Sequence, residues 1–317
     1  MIYQNKGVYF VNYLLNKIKE YGTIILHRHT RPDLDAIGSQ FGLYHILKDN
    51  FKEKKIYKVG DLNRFAIFGD VDEISDTTYE NALVIVTDVA VSHLISDERY
   101  KLAKEVIVID HHTNDCDVTD NFIQDTSYSS CCEFIVDLAN QLGLTINKEA
   151  ATCLAGGIIT DTGRFLYNSV TANTFKVMAF LIERGADTQY IYSKINVETL
   201  EVRKMKNYFA WQIKYTNKNV AYLMNDASVY EKFNTTFNDV SRGMVSLMAG
   251  ISEVPIWVNF TYDKESNKVV CEIRSRDIVV VDVAKKYGGG GHKQACGCTV
   301  ENFDEALKVL NDLNNLV

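Results

Sequence analysis

Through the first half of the chain, short apolar runs rich in β-branched residues alternate with longer stretches whose apolar positions recur every three or four residues. The runs at 23–26, 55–59, 83–87 and 105–109 have the length and composition of strands, and the last two are apolar enough to be buried on both faces. Residues 10–21 carry Val11, Leu14, Leu15 and Ile18 at helical spacing, which predicts an amphipathic helix. A second helix is expected from Ala36 and a further one near 97–104. Ser130-x-x-Glu133 has the form of a capping box opening a helix to Leu142, with Gly143 as its stop. Asn147 is placed to cap the next helix, whose far end reaches the stretch 155–165, and another spans 171–184 ahead of Gly185. Strands alternating with helices predict an α/β fold, with an N-terminal doubly wound, mostly parallel sheet in a domain of residues 1–186.

The pattern changes at residue 187. Residues 187–213 are polar and helical in period, which predicts a helical linker. Beyond it, 220–224, 256–262 and 269–274 read as strands, the last two joined by a polar turn at 263–267. With helices expected near 240–249 and 304–313, residues 214–317 form a second, smaller α/β domain.

Three of the predicted strands run directly into Asp or His. Residues 23–26 open into His27-Arg28-His29-Thr30-Arg31-Pro32-Asp33-Leu34-Asp35, residues 83–87 into Asp88, and residues 105–109 into Asp110-His111-His112. A lone His-His pair is ordinarily a surface loop, and Asp-rich loops are ordinarily solvated turns or helix caps. Their coincidence at strand ends changes the picture, because open α/β sheets bind ligands outside the carboxyl ends of their strands. His29, Asp33, Asp35, Asp88, His111 and Asp161, drawn from four segments, suit two divalent ions sharing a carboxylate. Oxygen and imidazole donors without thiolate favour Mn²⁺ or Mg²⁺ over structural zinc. Such a pair acidifies a water and neutralises charge on a phosphoryl group, which implies hydrolysis of a phosphate ester or anhydride. The triplet Asp110, His111 and His112 is then catalytic together with Asp88. His112 adjoins a ligand and can donate to a phosphate oxygen or the leaving group, its plain alternative being a core histidine.

Near the carboxyl end stands Tyr287-Gly288-Gly289-Gly290-Gly291-His292-Lys293. Consecutive glycines serve a flexible turn equally well as a loop whose amides approach an anion. His292 and Lys293, with Arg274 and Arg276 at the end of the preceding strand, make a cationic group that favours phosphate binding.

Composition narrows the partners. With 317 residues, 46% of them hydrophobic and 24% charged, the chain can bury two real cores. A formal net charge of −7 leaves no overall basic surface for tracking long nucleic acid. The seven cysteines lack the paired C-x-x-C of a zinc knuckle and read as reduced core thiols. No apolar stretch approaches the ~18 residues of a membrane span, and the stretch from Met1 to Lys6 lacks a secretory pattern. A cytoplasmic protein that does not bind membranes is expected.

Taken together, these motifs resemble those of the DHH/DHHA1 phosphoesterases over nearly the whole chain. His29-Thr-Arg-Pro-Asp33-Leu-Asp35-Ala-Ile-Gly-Ser39 is similar to the first family motif, Asp88 to the second, Asp110-His111-His112 to the third and Thr160-Asp161-Thr-Gly-Arg-Phe165 to the fourth. Gly288 to His292 is similar to the glycine-rich motif of the DHHA1 domain. The resemblance implies that His29 and Asp33 bind one Mn²⁺, that Asp35, His111 and Asp161 bind the other, and that Asp88 bridges. It implies that His112, Arg274 and His292 contact substrate phosphate, with Arg276, Gly289, Gly290, Gly291 and Lys293 alongside.

Within that family the resemblance points to hydrolysis of short oligoribonucleotides (nanoRNA) to mononucleotides, and of 3′-phosphoadenosine 5′-phosphate (pAp) to AMP. The Ser-Arg-Lys-Lys-Gln type motif of similar inorganic pyrophosphatases is missing, and there is no room for the extra nucleic-acid-binding domains of RecJ-like exonucleases. Two alternatives stay open: a phosphodiesterase mainly for the linear dinucleotide from cyclic di-AMP, and a non-catalytic nucleotide-binding regulatory module. A homodimer is also left open. Because the metal ligands precede Gly185 and the glycine-rich group follows Ile213, the two domains are expected to form a cleft.

Overall fold

The computed structural model describes residues 2–63, 65 and 67–317, with side chains from Val11 onward among the first helix's residues; Met1, where the reading of the amino terminus begins, lies outside them. Two compact units divide the chain, Met1–Val197 and Glu198–Val317.

In the first unit the apolar runs pair as a five-stranded sheet. The elements in chain order are α1 (Ile2–Glu20), β1 (Thr23–His27), α2 (Leu34–Asn50), β2 (Lys55–Lys58), β3 (Leu83–Thr87), β4 (Glu105–Asp110), β5 (Phe122–Gln124), α3 (Cys131–Gln141), α4 (Lys148–Asp161), α5 (Ala172–Glu183) and α6 (Thr188–Ile195). Every strand pair is parallel, and the order is β2-β1-β3-β4-β5. The side-chain period of two splits each strand between two cores. Ile24, Leu26, Leu83, Ile85, Ile107 and Ile109 join the apolar faces of α1 to α5. Ile25, Val84, Val86 and Val108 face Val59, Tyr79, Ile95 and Tyr100 instead. This second face is covered by loops and 3₁₀ turns. The helix expected near 97–104 is a 3₁₀ turn, Glu98–Leu102, whose cap Asp97 also pairs with Arg99.

Other local expectations are adjusted in the same way. Asp33 caps α2, so that helix begins at Leu34, before Ala36. Ser130 Oγ accepts the Glu133 N–H at 3.0 Å, yet the Glu133 carboxylate does not return the bond to complete a capping box. It accepts from Ser129 N–H, Ser129 Oγ and Thr174 Oγ1 instead.

Helices α2 and α4 approach closely enough to need glycine at their contact. A Cβ on Gly38 would stand 2.6 Å from the Cys153 carbonyl oxygen, and one on Gly157 would stand 2.7 Å from Asp35 Oδ1 and collide with Cys132 Sγ. Alanine would gain roughly 1 kcal/mol of helix propensity over glycine. Overpacking is expected to outweigh that gain, so Gly157→Ala should lower stability by about 1–3 kcal/mol in urea unfolding. Equal or higher stability would mean that α4 slides freely over α2.

The second unit contains α7 (Leu200–Gln212), β6 (Lys214–Tyr215), β7 (Ala221–Asn225), α8 (Ser228–Phe233), α9 (Phe237–Val245), β8 (Ile256–Asp263), β9 (Lys268–Ser275), α10 (Val281–Lys286), β10 (Gly290–His292), β11 (Ala295–Val300) and α11 (Phe303–Asn314). Its six-stranded sheet has the order β10-β11-β9-β8-β7-β6, parallel only between β7 and β8. The short helix α9 stops at Val245, and a 3₁₀ turn, Ser246–Met248, takes the place of its expected last turn. All seven cysteines are free, six of them buried. Among the described residues no helix is long and apolar enough to cross a membrane.

Candidate metal centre

Parallel strands β1, β3 and β4 lie side by side, so the residues after their carboxyl ends meet at one edge of the sheet. The strand order reverses between β1 and β3, and such a switch point opens a crevice above the sheet. His29 follows β1, Asp88 follows β3, and Asp110 closes β4 ahead of His111 and His112. Asp161 arrives from the last residue of α4, and Asp33 and Asp35 from the start of α2.

Two groups result, each of three residues whose ligand atoms lie within 4.8 Å of one another: His29, Asp33 and Asp88; and Asp35, His111 and Asp161. His29 Nε2 stands 3.8 Å from Asp33 Oδ1 and 3.6 Å from Asp88 Oδ2. His111 Nε2 stands 3.7 Å from Asp35 Oδ2, 3.5 Å from Asp88 Oδ1 and 3.7 Å from Asp161 Oδ2. These separations are long for hydrogen bonds and close to those of donors sharing one ion, since two ligands at roughly 2.1 Å subtending a right or tetrahedral angle stand about 3.0–3.5 Å apart. Asp88 thus turns one oxygen toward each group. Among the described residues its Oδ1 is buried without a hydrogen-bond partner, the condition of an atom shaped to meet a cation. A third grouping, Asp88, His111 and His112, shares the same edge.

The remaining atoms of these residues are held by backbone. Asp35 rests on the amino terminus of α3, where the Cys131 and Cys132 N–H groups donate to Oδ2 at 2.7 Å and Oδ1 at 3.0 Å. Asp33 Oδ1 accepts the Asp35 and Ala36 N–H groups, so this carboxylate is a helix cap as well as a neighbour of His29. His29 Nδ1 lies 2.8 Å from the Thr30 carbonyl oxygen, and His111 Nδ1 lies 3.4 Å from that of Tyr128, leaving each Nε2 free to face the carboxylates.

So many acids in a buried crevice resist ionisation together. Burial, reinforced by Asp35, holds the Asp88 carboxyl well above its ordinary range. Burial raises Asp35 to about 6. Burial and the Asp35 charge raise Asp161 to about 7. Burial and the neighbouring His112 lower His111. Burial opposes the charge on His29, but the nearby Asp33 and Asp88 carboxylates prevail and raise it to about 10. Divalent cations relieve this repulsion directly, so the donor set fits them. His112 is separate in character: its Nδ1 bonds the buried Asp110 Oδ1 at 2.8 Å, which raises the ring to about 9.

In the second unit, Arg274 lines a depression of about 550 Å³ together with Arg242, Glu272 and the run Gly288–Gly291. Glu272 holds both arginines, Arg274 Nη2 at 3.1 Å and Arg242 Nε at 3.4 Å. Arg276 turns away and donates to the Ile251 and Ser252 carbonyls, at 2.6 and 3.4 Å. His292 and Lys293 are exposed beyond the depression's lining. Two of the glycines answer to backbone packing: a Cβ on Gly289 would collide with the Gly297 carbonyl, and Gly291, at φ +130°, would place one 2.8 Å from that of Ala295. Arg242 carries no signal in the sequence because it stands alone on α9. Only the pairing of β9 with β11 and the packing of α9 bring it to the glycines.

A parallel α/β sheet carrying clustered carboxylates and imidazoles at its switch point is an arrangement able to hold divalent cations. Residues 23–158 match the DHH family, N-terminal domain, and residues 187–315 match the DHHA1 domain. The chain belongs to the DHH family. It is 36% identical over 307 residues to the bifunctional oligoribonuclease and PAP phosphatase NrnA of Bacillus subtilis (strain 168), covering 96% of this chain and 97% of that protein. With the protein of the same name from Mycoplasma genitalium it shares 34% over 306 residues, 94% of this chain and 95% of that one. Among solved structures, an exopolyphosphatase-related protein from Bacteroides fragilis superposes with a TM-score of 0.80 at 25% identity, over 96% of this chain and 95% of that chain. The family resemblance read from the motifs is borne out.

Proposed function

We propose that this chain is a Mn²⁺-dependent phosphoesterase that releases mononucleotides from very short RNA and converts pAp to AMP. The observation that carries this reading is Asp88, buried at the switch point with one oxygen toward each of two ligand groups. His29 and Asp33 would hold one ion, Asp35, His111 and Asp161 the other, with Asp88 shared. When bound, the pair would supply an acidified water and neutralise charge developing on the phosphoryl group. Asp35 is oriented by the α3 amides, and the Thr30 and Tyr128 carbonyls fix the ring orientations of His29 and His111. His112, kept protonated near neutral pH by Asp110, donates to a phosphate oxygen or the leaving group. Residues 1–186 carry the chemistry, 187–213 connect, and Arg274, His292 and the glycine-rich run in 214–317 capture phosphate.

The test is a panel of two- to five-mers, pAp, the linear dinucleotide pApA and a long RNA, assayed with Mn²⁺ and with Mg²⁺. Turnover confined to the short substrates supports the reading, and equal rates on long RNA would sink it. His292→Ala should leave the ions in place and weaken substrate binding by on the order of 1–3 kcal/mol, as a raised KM with little change in kcat. An unchanged KM on dinucleotide would remove His292 from capture.

A further inference from the structure

We infer that Asp61 is a positioning residue for the metal centre, setting through Thr30 and Arg31 the direction in which His29 presents its ligand nitrogen. The inference rests on the reading of His29 as a metal ligand.

The backbone on both sides of the His29 ring is held from outside the site. On one side, Ser96 N–H donates to the Arg28 carbonyl at 3.0 Å and Thr30 N–H donates to the Leu94 carbonyl at 2.6 Å. On the other, a single carboxylate oxygen, Asp61 Oδ2, accepts from Thr30 Oγ1 at 2.9 Å and from Arg31 N–H at 2.7 Å. Arg31 is left-handed, at φ +49°, a conformation that costs a non-glycine residue energy unless something holds it. The Asp61 bonds hold it. They also fix the peptide whose carbonyl, that of Thr30, faces His29 Nδ1 at 2.8 Å. An imidazole whose Nδ1 is committed to a carbonyl offers only Nε2 to an ion, and that is the nitrogen facing Asp33 and Asp88.

Asp61 is itself anchored by a buried cation. Arg28 is fully buried, and its Nη2 donates to the Asp61 carbonyl at 2.5 Å while its Nη1 donates to Gln40 Oε1. Gln40 is also fully buried and donates to the Leu26 and Val59 carbonyls at 2.6 and 2.8 Å, tying β1, α2 and the end of β2 to the same point. Gly60, at φ +131°, makes the turn that delivers Asp61, and a Cβ there would collide with Ser96 Oγ. A buried guanidinium is costly unless its bonds serve a structure. Here they hold a loop whose carboxylate reaches the metal-site backbone and touches no proposed ligand side chain.

The experiment compares Asp61→Ala and Asp61→Asn with the full-length wild-type chain, counting free Mn²⁺ by electron paramagnetic resonance during titration. Outer partners of metal-bound histidines typically contribute about 10- to 100-fold to metal affinity. Asp61→Ala is expected to bind one Mn²⁺ weaker by that factor, with turnover recovering at saturating Mn²⁺ and KM for dinucleotide unmoved. In Asp61→Asn the amide oxygen can accept both bonds, so its affinity should stay within a few-fold of wild type. Wild-type affinity in Asp61→Ala overturns the inference. So does equal weakening in both variants, which would mean that Asp61 acts by its charge on Arg28. If Asp61→Ala does not fold, Thr30→Val deletes one of the two bonds, and an unchanged Mn²⁺ affinity there overturns it as well. Failure of the wild type to bind Mn²⁺ would overturn the metal reading itself, and the inference with it.

Discussion

Asp88→Asn is expected to lower kcat by more than about 10³-fold, because it removes the one carboxylate directed at both ligand groups. Asparagine is the informative replacement. Asp88 sits at φ +63°, a left-handed conformation that Asn tolerates and Ala does not, so the substitution changes charge with little change of backbone. The same variant should be no less stable than the wild type when both are metal-free. Asp88 is buried beside Asp35 and His29, its Oδ1 has no hydrogen-bond partner among the described residues, and removing one of several crowded acids relieves repulsion. Turnover, Mn²⁺ stoichiometry and metal-free melting temperature together decide the matter. Near-normal kcat would exclude a bridging role, and a large loss of metal-free stability would mean that Asp88 serves the fold instead.

The second large effect is a reversal of pH dependence by metal. Asp35, Asp88 and Asp161 all have folded-state pKa values above their unfolded values, with Asp35 at about 6 and Asp161 at about 7. A raised carboxyl binds more protons folded than unfolded. Its stabilising contribution is therefore present below the unfolded value, near 4, and is lost as pH rises through the folded one. His29, raised to about 10, adds a contribution of the same sign that is full below about 6.5 and fades toward pH 10. Carboxylates held low, such as Asp110 and Glu105, have the opposite dependence and lose their contribution only in acid. Between pH 5 and 8 the metal-free first unit should lose stability steadily as Asp35, Asp161, His29 and His112, the last raised to about 9, give up protons that the unfolded chain has already lost. With Mn²⁺ the trend reverses, because protons and ions compete for the same oxygens and stabilisation by metal grows with pH. Melting curves with and without Mn²⁺ across this range test it, and parallel pH profiles would show that these acids do not share an ion.

Much of this was legible in the linear sequence, for a local reason. Helical and strand periods depend on residues within a turn or two of each other, so the strand at 83–87, the Asn147 cap and the α/β alternation could be read directly. The ends of apolar runs are local as well, which is why His29, Asp88 and the Asp110-His111-His112 triplet stood out as chemistry. The boundaries that failed were those where short-range bonds compete with the helix. At 98–102, Asp97 turns back onto Arg99 and leaves only a 3₁₀ turn. At Glu133, the carboxylate finds Ser129, Thr174 and Asn173 rather than its own cap.

What only the tertiary structure decided is which separated residues meet, and in which direction they point. The order β2-β1-β3-β4-β5 places the ends of β1, β3 and β4 side by side, and strand order depends on how helices pack, not on any single strand's sequence. Asp35 finds the amides of Cys131 and Cys132, 96 and 97 positions away, because α2 and α3 cover the same face of the sheet. Arg274 and Arg276 are neighbours in sequence, yet one lines the glycine-rich depression and the other binds the Ile251 and Ser252 carbonyls. Asp61 and the buried Arg28 carry no motif at all, since a carboxylate that acts on backbone through a turn can be recognised only once that turn has been folded against it.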